Sequence, residues 1–119
     1  MKRLLSMSVL AAASGVLSAA TPAAFPGGDD ALTAYLTANV VYPAFARENG
    51  IEGTVTVLFV VSVDGSISNV KVARPMDPDL ENEAVRLVKG MPRWTPATND
   101  EGVPVSSEAS LPVKFRLTE

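Results

Sequence analysis

Apolar and polar residues along the 119-residue chain follow two periods, which alternate from segment to segment. In "GTVTVLFVVSVDGSISNVKVAR" the spacing is two, with Val55, Val57, Phe59, Val61 and Val63 facing one way. Leu58 and Val60 make the middle apolar on the other face as well, the pattern of a strand with neighbours on both sides. Asp64-Gly65 is a hairpin turn signal, and the chain returns through Ile67 to Arg74 as a second strand. The period then lengthens. Leu80, Ala84, Leu87, Val88 and Met91 recur at helical spacing, with Asp77 as cap and Pro78 as first residue. Asp79, Glu81 and Glu83 sit toward the positive end of that helix dipole, and Gly90 with Pro92 stops it. An earlier helix is predicted in "DDALTAYLTANVVYP", capped by Asp29 or Asp30, with Leu32, Tyr35 and Leu36 on one stripe. Pro43 makes Tyr42 extended, and "AFARENG" adds a helical turn that Asn49 or Gly50 closes in a left-handed conformation. The chain finishes on "ASLPVKFRLTE", where Leu111, Val113, Phe115 and Leu117 alternate with Pro112, Lys114 and Arg116.

The order helix, strand, strand, helix, strand restricts the topology. The first strand is the central one, so the last strand must lie on its free side, giving the order 2-1-3. It runs antiparallel to the first strand and parallel to the second, with the helix from Pro78 as a right-handed crossover. The expected fold is α+β, a three-stranded antiparallel or mixed sheet with two helices packed on one face. The last strand is then an edge. Pro112 has no N–H to give to a ladder, which an edge tolerates because the missing donor points away from the sheet. Lys114 and Arg116 discourage indiscriminate pairing there. Two readings of this edge stay open: a guarded strand that pairs with nothing, or a site where an extended peptide adds to the sheet. Between the crossover helix and the last strand, Trp94 lies between Pro92 and Pro96. It is read as covering the end of the core, with an exposed binding hot spot as the alternative. "EGVPV" suggests a second turn with a short extended piece.

The first twenty residues follow neither period. "MKRLLSMSVLAAASGVLSAA" has a basic start, an apolar stretch, and small residues at Ser18 and Ala20. That is the pattern of a secretory signal peptide over residues 1–20, cleaved after Ala20 or at a second site after Ala24. An uncleaved membrane anchor is the alternative, and either places the folded part outside the cytoplasmic membrane, in the periplasm if the signal is cleaved. Residues 21–28 read as a connector and 29–119 as one domain. The formal charge is −3, and beyond the signal the balance is more acidic still, which argues against a nucleic-acid partner. The chain has no cysteine, so no disulfides staple the core. It has no histidine, the usual general base and the commonest transition-metal ligand. The carboxylates of Asp64, Asp77, Asp79, Glu81 and Glu83 lack the spacing of a cation-binding loop. No metal, no cofactor and no catalytic residue is therefore expected, and composition tilts against an enzyme.

"YPAFARENGIEGTVTVLFVVSVDGSISNVKV", "LENEAVRLVKGMPRWTPA", "GVPV" and "LPVKFRL", in this order, resemble the C-terminal domain of the TonB energy-transducer family. "FPGG" before the first helix resembles the form common in Bacteroidetes-type members. The resemblance spans about Phe25 to Leu117 and implies a periplasmic module that grips the Ton box, an extended segment of TonB-dependent outer-membrane receptors. In that family the segment joins the sheet beside the last strand, and an inner-membrane proton-channel complex works through the transducer to drive uptake. Carried onto this chain, the receiving edge is Val113, Lys114, Phe115, Arg116 and Leu117. Tyr42, Pro43 and Arg47 fall in the family's YP-x-x-AR stretch, and with Trp94 and Pro96 they are read as structural support. Full transducers add a membrane helix with a functional histidine and a long Pro-rich spacer. Here only about ten residues, reaching roughly 35 Å fully extended, separate Ala20 from Asp30. The expectation is a grip without its own arm, coupled to the proton channel through another protein. The alternative is an adaptor that self-associates as a homodimer through the edge strand.

Overall fold

In the computed structural model, residues 3–4, 12–14 and 19–118 are described. The element order is β1 (Arg3–Leu4), β2 (Ala12–Ser14), β3 (Ala19–Thr21), α1 (Asp29–Asn39), α2 (Ala44–Glu48), β4 (Gly53–Val61), β5 (Ile67–Val72), α3 (Pro78–Lys89), β6 (Ala97–Asn99), β7 (Pro104–Val105), β8 (Ser107–Phe115) and β9 (Leu117–Thr118). Strand β4 is flanked by β5 on one side and β8 on the other, both antiparallel, which is the expected 2-1-3 arrangement. Strand β2 adds a fourth strand in the order β2-β8-β4-β5, so the expected edge strand β8 is not outermost where β2 pairs with Glu108–Ser110. The class is α+β, with helices packed on one face of this sheet.

Alternation along the two longest strands decides what is buried. Val55, Val57, Phe59 and Val61 of β4 lie beside Ala109, Leu111, Val113 and Phe115 of β8 on the inner face, all of them buried. Leu32 and Leu36 of α1 and Leu80, Ala84, Leu87 and Val88 of α3 close over that face. The α3 stripe is the expected one, except that Met91 is only partly buried. Burying a side chain of this size stabilises by about 1.5–3 kcal/mol, so this layer dominates the energetics. The segment read as a connector also takes part: Ala23 and Phe25 are in the core. Phe25 meets Trp94 edge-on at a centroid distance of 6.0 Å, and Trp94 meets Phe59 at 5.1 Å. Trp94 is thus a core residue.

Several local expectations are corrected. Gly28 rather than Asp29 or Asp30 caps α1, with no side-chain cap, and both aspartates lie inside the first turn, where the dipole favours them. Val63 does not continue the inner face of β4; the strand ends at Val61 and Val63 is exposed in the turn. There Asp64 accepts hydrogen bonds from the Ser66 N–H (3.0 Å) and hydroxyl (2.7 Å), an Asx turn that twists the chain away. Gly65 is required on two counts. Its φ is +85°, and a Cβ there would lie 2.1 Å from the Trp94 carbonyl oxygen. The last strand starts at Ser107 and stops at Phe115, so Leu117 belongs to the separate short strand β9. At α3 the cap is the expected one: the Asp77 carboxylate accepts from the Leu80 N–H at 3.0 Å. Gly50 closes α2 with φ +67°.

The signal-peptide reading falls mostly outside the described residues. Those of its residues that are described make strands: β2 pairs antiparallel with β8, β1 with β9, and β3 with β6. No helix among the described residues is long and apolar enough to cross a membrane.

Candidate functional site

The edge of β8 is defined by which residues give their backbone to β4 and which do not. Thr56 of β4 sits opposite Pro112, and its carbonyl accepts a hydrogen bond from Ala73 on the far, β5 side (2.9 Å). Thr56 therefore turns its backbone away from β8, and the pair Thr56–Pro112 is a non-hydrogen-bonded one. Alternation then assigns the whole strand. Ser107, Ala109, Leu111, Val113 and Phe115 bond to β4, whereas Glu108, Ser110, Pro112 and Lys114 turn their backbone groups to the outer edge. Pro112 occupies an outward position, where its missing N–H costs β4 nothing.

This divides the expected receiving residues. Val113 and Phe115 are fully buried and commit their backbone to β4, so they support the edge from behind. Lys114 alone of the five lies within β8 with its backbone outward. Arg116 is exposed in the break between β8 and β9, and the Leu117 N–H donates to the Glu52 carboxylate. The upper half of the same edge, Glu108 and Ser110, escaped the sequence reading. The parity of Pro112 was the signal that marks them. Ala12–Ser14 pairs there, in the register Ala12↔Ser110 and Ser14↔Glu108.

The supporting residues sort by position. Tyr42 is buried, meets Phe115 edge-on at 5.7 Å and donates its hydroxyl hydrogen bond to the Ile51 carbonyl, which braces the C-terminal end of β8. Burial pushes its phenol pKa up to about 12, with Glu52 and Asp77 adding to the shift. Pro43 caps α2, and Pro96 is half-buried before β6. Arg47 is exposed, and what it supplies to the turn is its backbone N–H, bonded to the Pro43 carbonyl at 2.9 Å.

A brace that the sequence reading missed joins α3 to the α1–α2 connection. Glu83 is buried, and one oxygen accepts from the Val41 N–H at 2.6 Å. Arg86 grips the same carboxylate through Nε and Nη2, both at 2.7 Å, and Nη2 also donates to the Asn39 carbonyl at 2.8 Å. The bonds to Glu83 hold the Arg86 guanidinium pKa above its ordinary value. The spacing of three between Glu83 and Arg86 was the available clue, but helix-dipole placement explained Glu83 equally well.

The face of the sheet opposite the helices carries Thr54, Thr56, Leu58 and Val60 of β4 beside Glu108, Ser110, Pro112 and Lys114 of β8. Two shallow depressions lie there, of about 400 and 620 Å³, sharing Leu58 as a lining residue. A bulge shifts the β4–β5 register between Leu58 and Val60, and Asn69 takes a φ of +52° beside it. Among the described residues, no group of three or more His, Cys, Asp or Glu is placed to hold a metal ion.

The family described as the Gram-negative bacterial TonB protein C-terminal matches residues 38–117. Two curated relatives are both "Protein TonB" of Helicobacter pylori. The chain is 42% identical over 79 residues to that of strain 26695 and 33% identical over 79 residues to that of strain J99. Each match covers 66% of this chain and 26% of the relative, so the chain spans about a quarter of the length of those proteins. No solved structure matches. With the matched span running from the end of α1 into β9 and taking in all of strands β5, β4 and β8, the chain belongs to the TonB C-terminal family.

Proposed function

We propose that this chain is a non-catalytic, periplasmic peptide-gripping module of a TonB-type transport system. It takes the Ton box of an outer-membrane receptor onto the outer edge of β8 by strand addition. The observation that carries this reading is the outward row of backbone groups at Glu108, Ser110, Pro112 and Lys114, on a strand anchored to the core through every other residue. The pairing of Ala12–Ser14 to that row supports it, since an extended segment fits there with regular register. Each net backbone bond is worth about 0.5–1.5 kcal/mol, so a handful of them with some side-chain contact gives micromolar affinity. Residues 1–20 act as the export signal, and coupling to an inner-membrane proton channel runs through another protein.

The test is titration of the chain with peptides from the plug-domain N-termini of receptors of the same organism. Saturable micromolar binding is expected. The proline variants give it a structural readout: Lys114→Pro removes an outward donor and weakens capture about two- to tenfold while the fold survives. Val113→Pro removes a bond to β4 and unfolds the sheet. No binding at near-millimolar peptide to the folded chain overturns the reading. If sedimentation instead shows concentration-dependent dimers that Lys114→Pro dissolves, the edge serves self-association.

A further inference from the structure

The outer edge of β8 carries opposite charges at its two ends, on one and the same face. Glu108 and Lys114 both project to the sheet face away from the helices, because their neighbours Ala109, Val113 and Phe115 fill the inner face. Between them stand only uncharged Ser110 and Pro112. Across the sheet, Lys114 faces Thr54 and Glu108 faces Val60, so neither has a countercharge directly opposite on β4. Neither makes an ion pair among the described residues, where the one such pair is Glu83–Arg86. Three nearby groups adjust this pattern. Lys71 of β5 rims the same depression as Glu108. At the Lys114 end Arg116 adds positive charge, and the Glu52 carboxylate, which accepts from the Leu117 N–H, offsets part of it with its own negative charge. The two ends are six residues apart, about 20 Å at strand rise, well beyond the screening length of about 8 Å at physiological salt. They act independently.

We infer that β8 selects a charge-polarised strand: the segment it takes carries an acidic side chain beside Lys114 and a basic one beside Glu108, six positions apart. This rests on the strand-addition reading above and names the chemistry of its peptide. The inner face cannot make this selection, since every β8 side chain there within the sheet is apolar from Ala109 to Phe115. The middle of the edge discriminates least, because Pro112 offers no donor. Residues directly opposite on adjacent strands share a face and approach closely, so unlike charges there attract and like charges repel.

The experiment uses two peptides of identical composition and identical apolar alternation. One carries Glu six residues before Lys, the other carries Lys six residues before Glu. Each is titrated into the full chain and into the double variant Glu108→Lys/Lys114→Glu, with Trp94 fluorescence confirming the fold. Competition from Ala12–Ser14 weakens both peptides alike and leaves their ratio unchanged. The expected ratio is about three- to tenfold at low salt, smaller at high salt, and inverted in the double variant. The peptide that wins reports the direction of the added strand. Equal affinities in the native chain, or a preference that the double variant leaves unchanged, overturn this inference while strand addition stands. Failure of both peptides to bind the folded chain overturns both.

Discussion

At Glu83 a single carboxylate accepts from a backbone N–H on the α1–α2 connection and from two nitrogens of Arg86. Because the carboxylate is buried and Arg86 is half-exposed, the bond to Val41 and the forked geometry matter more than the charge pair itself. Glu83→Gln keeps the shape and loses the charge-assisted bonds, with an expected cost of about 1–3 kcal/mol in urea unfolding. Arg86→Lys loses the fork and costs less. Tyr42 makes a pH-dependent contribution. Its pKa is raised in the folded chain from 10.0 to about 12, so the fold favours the neutral phenol. That stability is fully present below about pH 10 and is lost as pH rises through about 12. Tyr35 shifts in the same direction, chiefly through burial, and its hydroxyl donates to the Leu87 carbonyl at 2.8 Å. The unfolding midpoint is therefore expected to hold level up to about pH 10 and fall above it, in step with tyrosinate absorbance. A flat midpoint across that range contradicts the assignment.

At the scale of elements, β8 separates two jobs by parity, the odd residues serving the core and the even ones the edge. That separation is why Lys114→Pro and Val113→Pro, adjacent positions each losing a backbone N–H, are expected to differ so sharply. Circular dichroism and peptide titration on the two variants distinguish them directly. Phe115→Ala belongs with Val113: it empties a fully buried site against Tyr42 and is expected to cost about 3–5 kcal/mol. In β5, the bulge leaves Asn69 at positive φ, a conformation that asparagine tolerates and branched residues do not. Asn69→Gly should be nearly neutral, whereas Asn69→Val should destabilise by about 1–2 kcal/mol, read from denaturant midpoints. Equal midpoints for the two variants would show that the bulge relaxes at no cost.

For the whole molecule, as long as residues 1–20 are uncleaved, the same edge is offered to a partner and to the chain's own N-terminal residues. A chain beginning at Thr21 keeps every core residue that is buried among the described ones, from Ala23 onward, but loses β1, β2 and most of β3. It is expected to bind edge peptides several-fold more tightly than the full chain, because no internal strand competes at Glu108–Ser110. Identical affinities would mean that Ala12–Ser14 does not hold the edge in solution. Among the described residues the α1–α2–α3 layer leaves the opposite sheet face uncovered, and this gives Glu108 and Lys114 their access to a paired strand.

Much of this was legible in the chain alone. Strand β4, apolar on both faces at its middle, had to be central. The Asp77–Pro78 start of α3 and the Asp64-Gly65 turn followed from local chemistry, because caps and turns involve residues close in sequence. Pro112 marked an edge, since a residue without an N–H cannot sit between two partners. What only the tertiary structure decided involves groups far apart in sequence. Glu83 reaches Val41 across 42 positions, a buried bond that no helical period announces. The packing of Phe25 against Trp94 depends on how the N-terminal segment crosses the core. Above all, Pro112 hinted which backbone groups of β8 face outward, but the register of β4 fixed it, through Thr56 turning to Ala73. Sequence alternation sets side-chain faces; only pairing sets which edge the backbone offers.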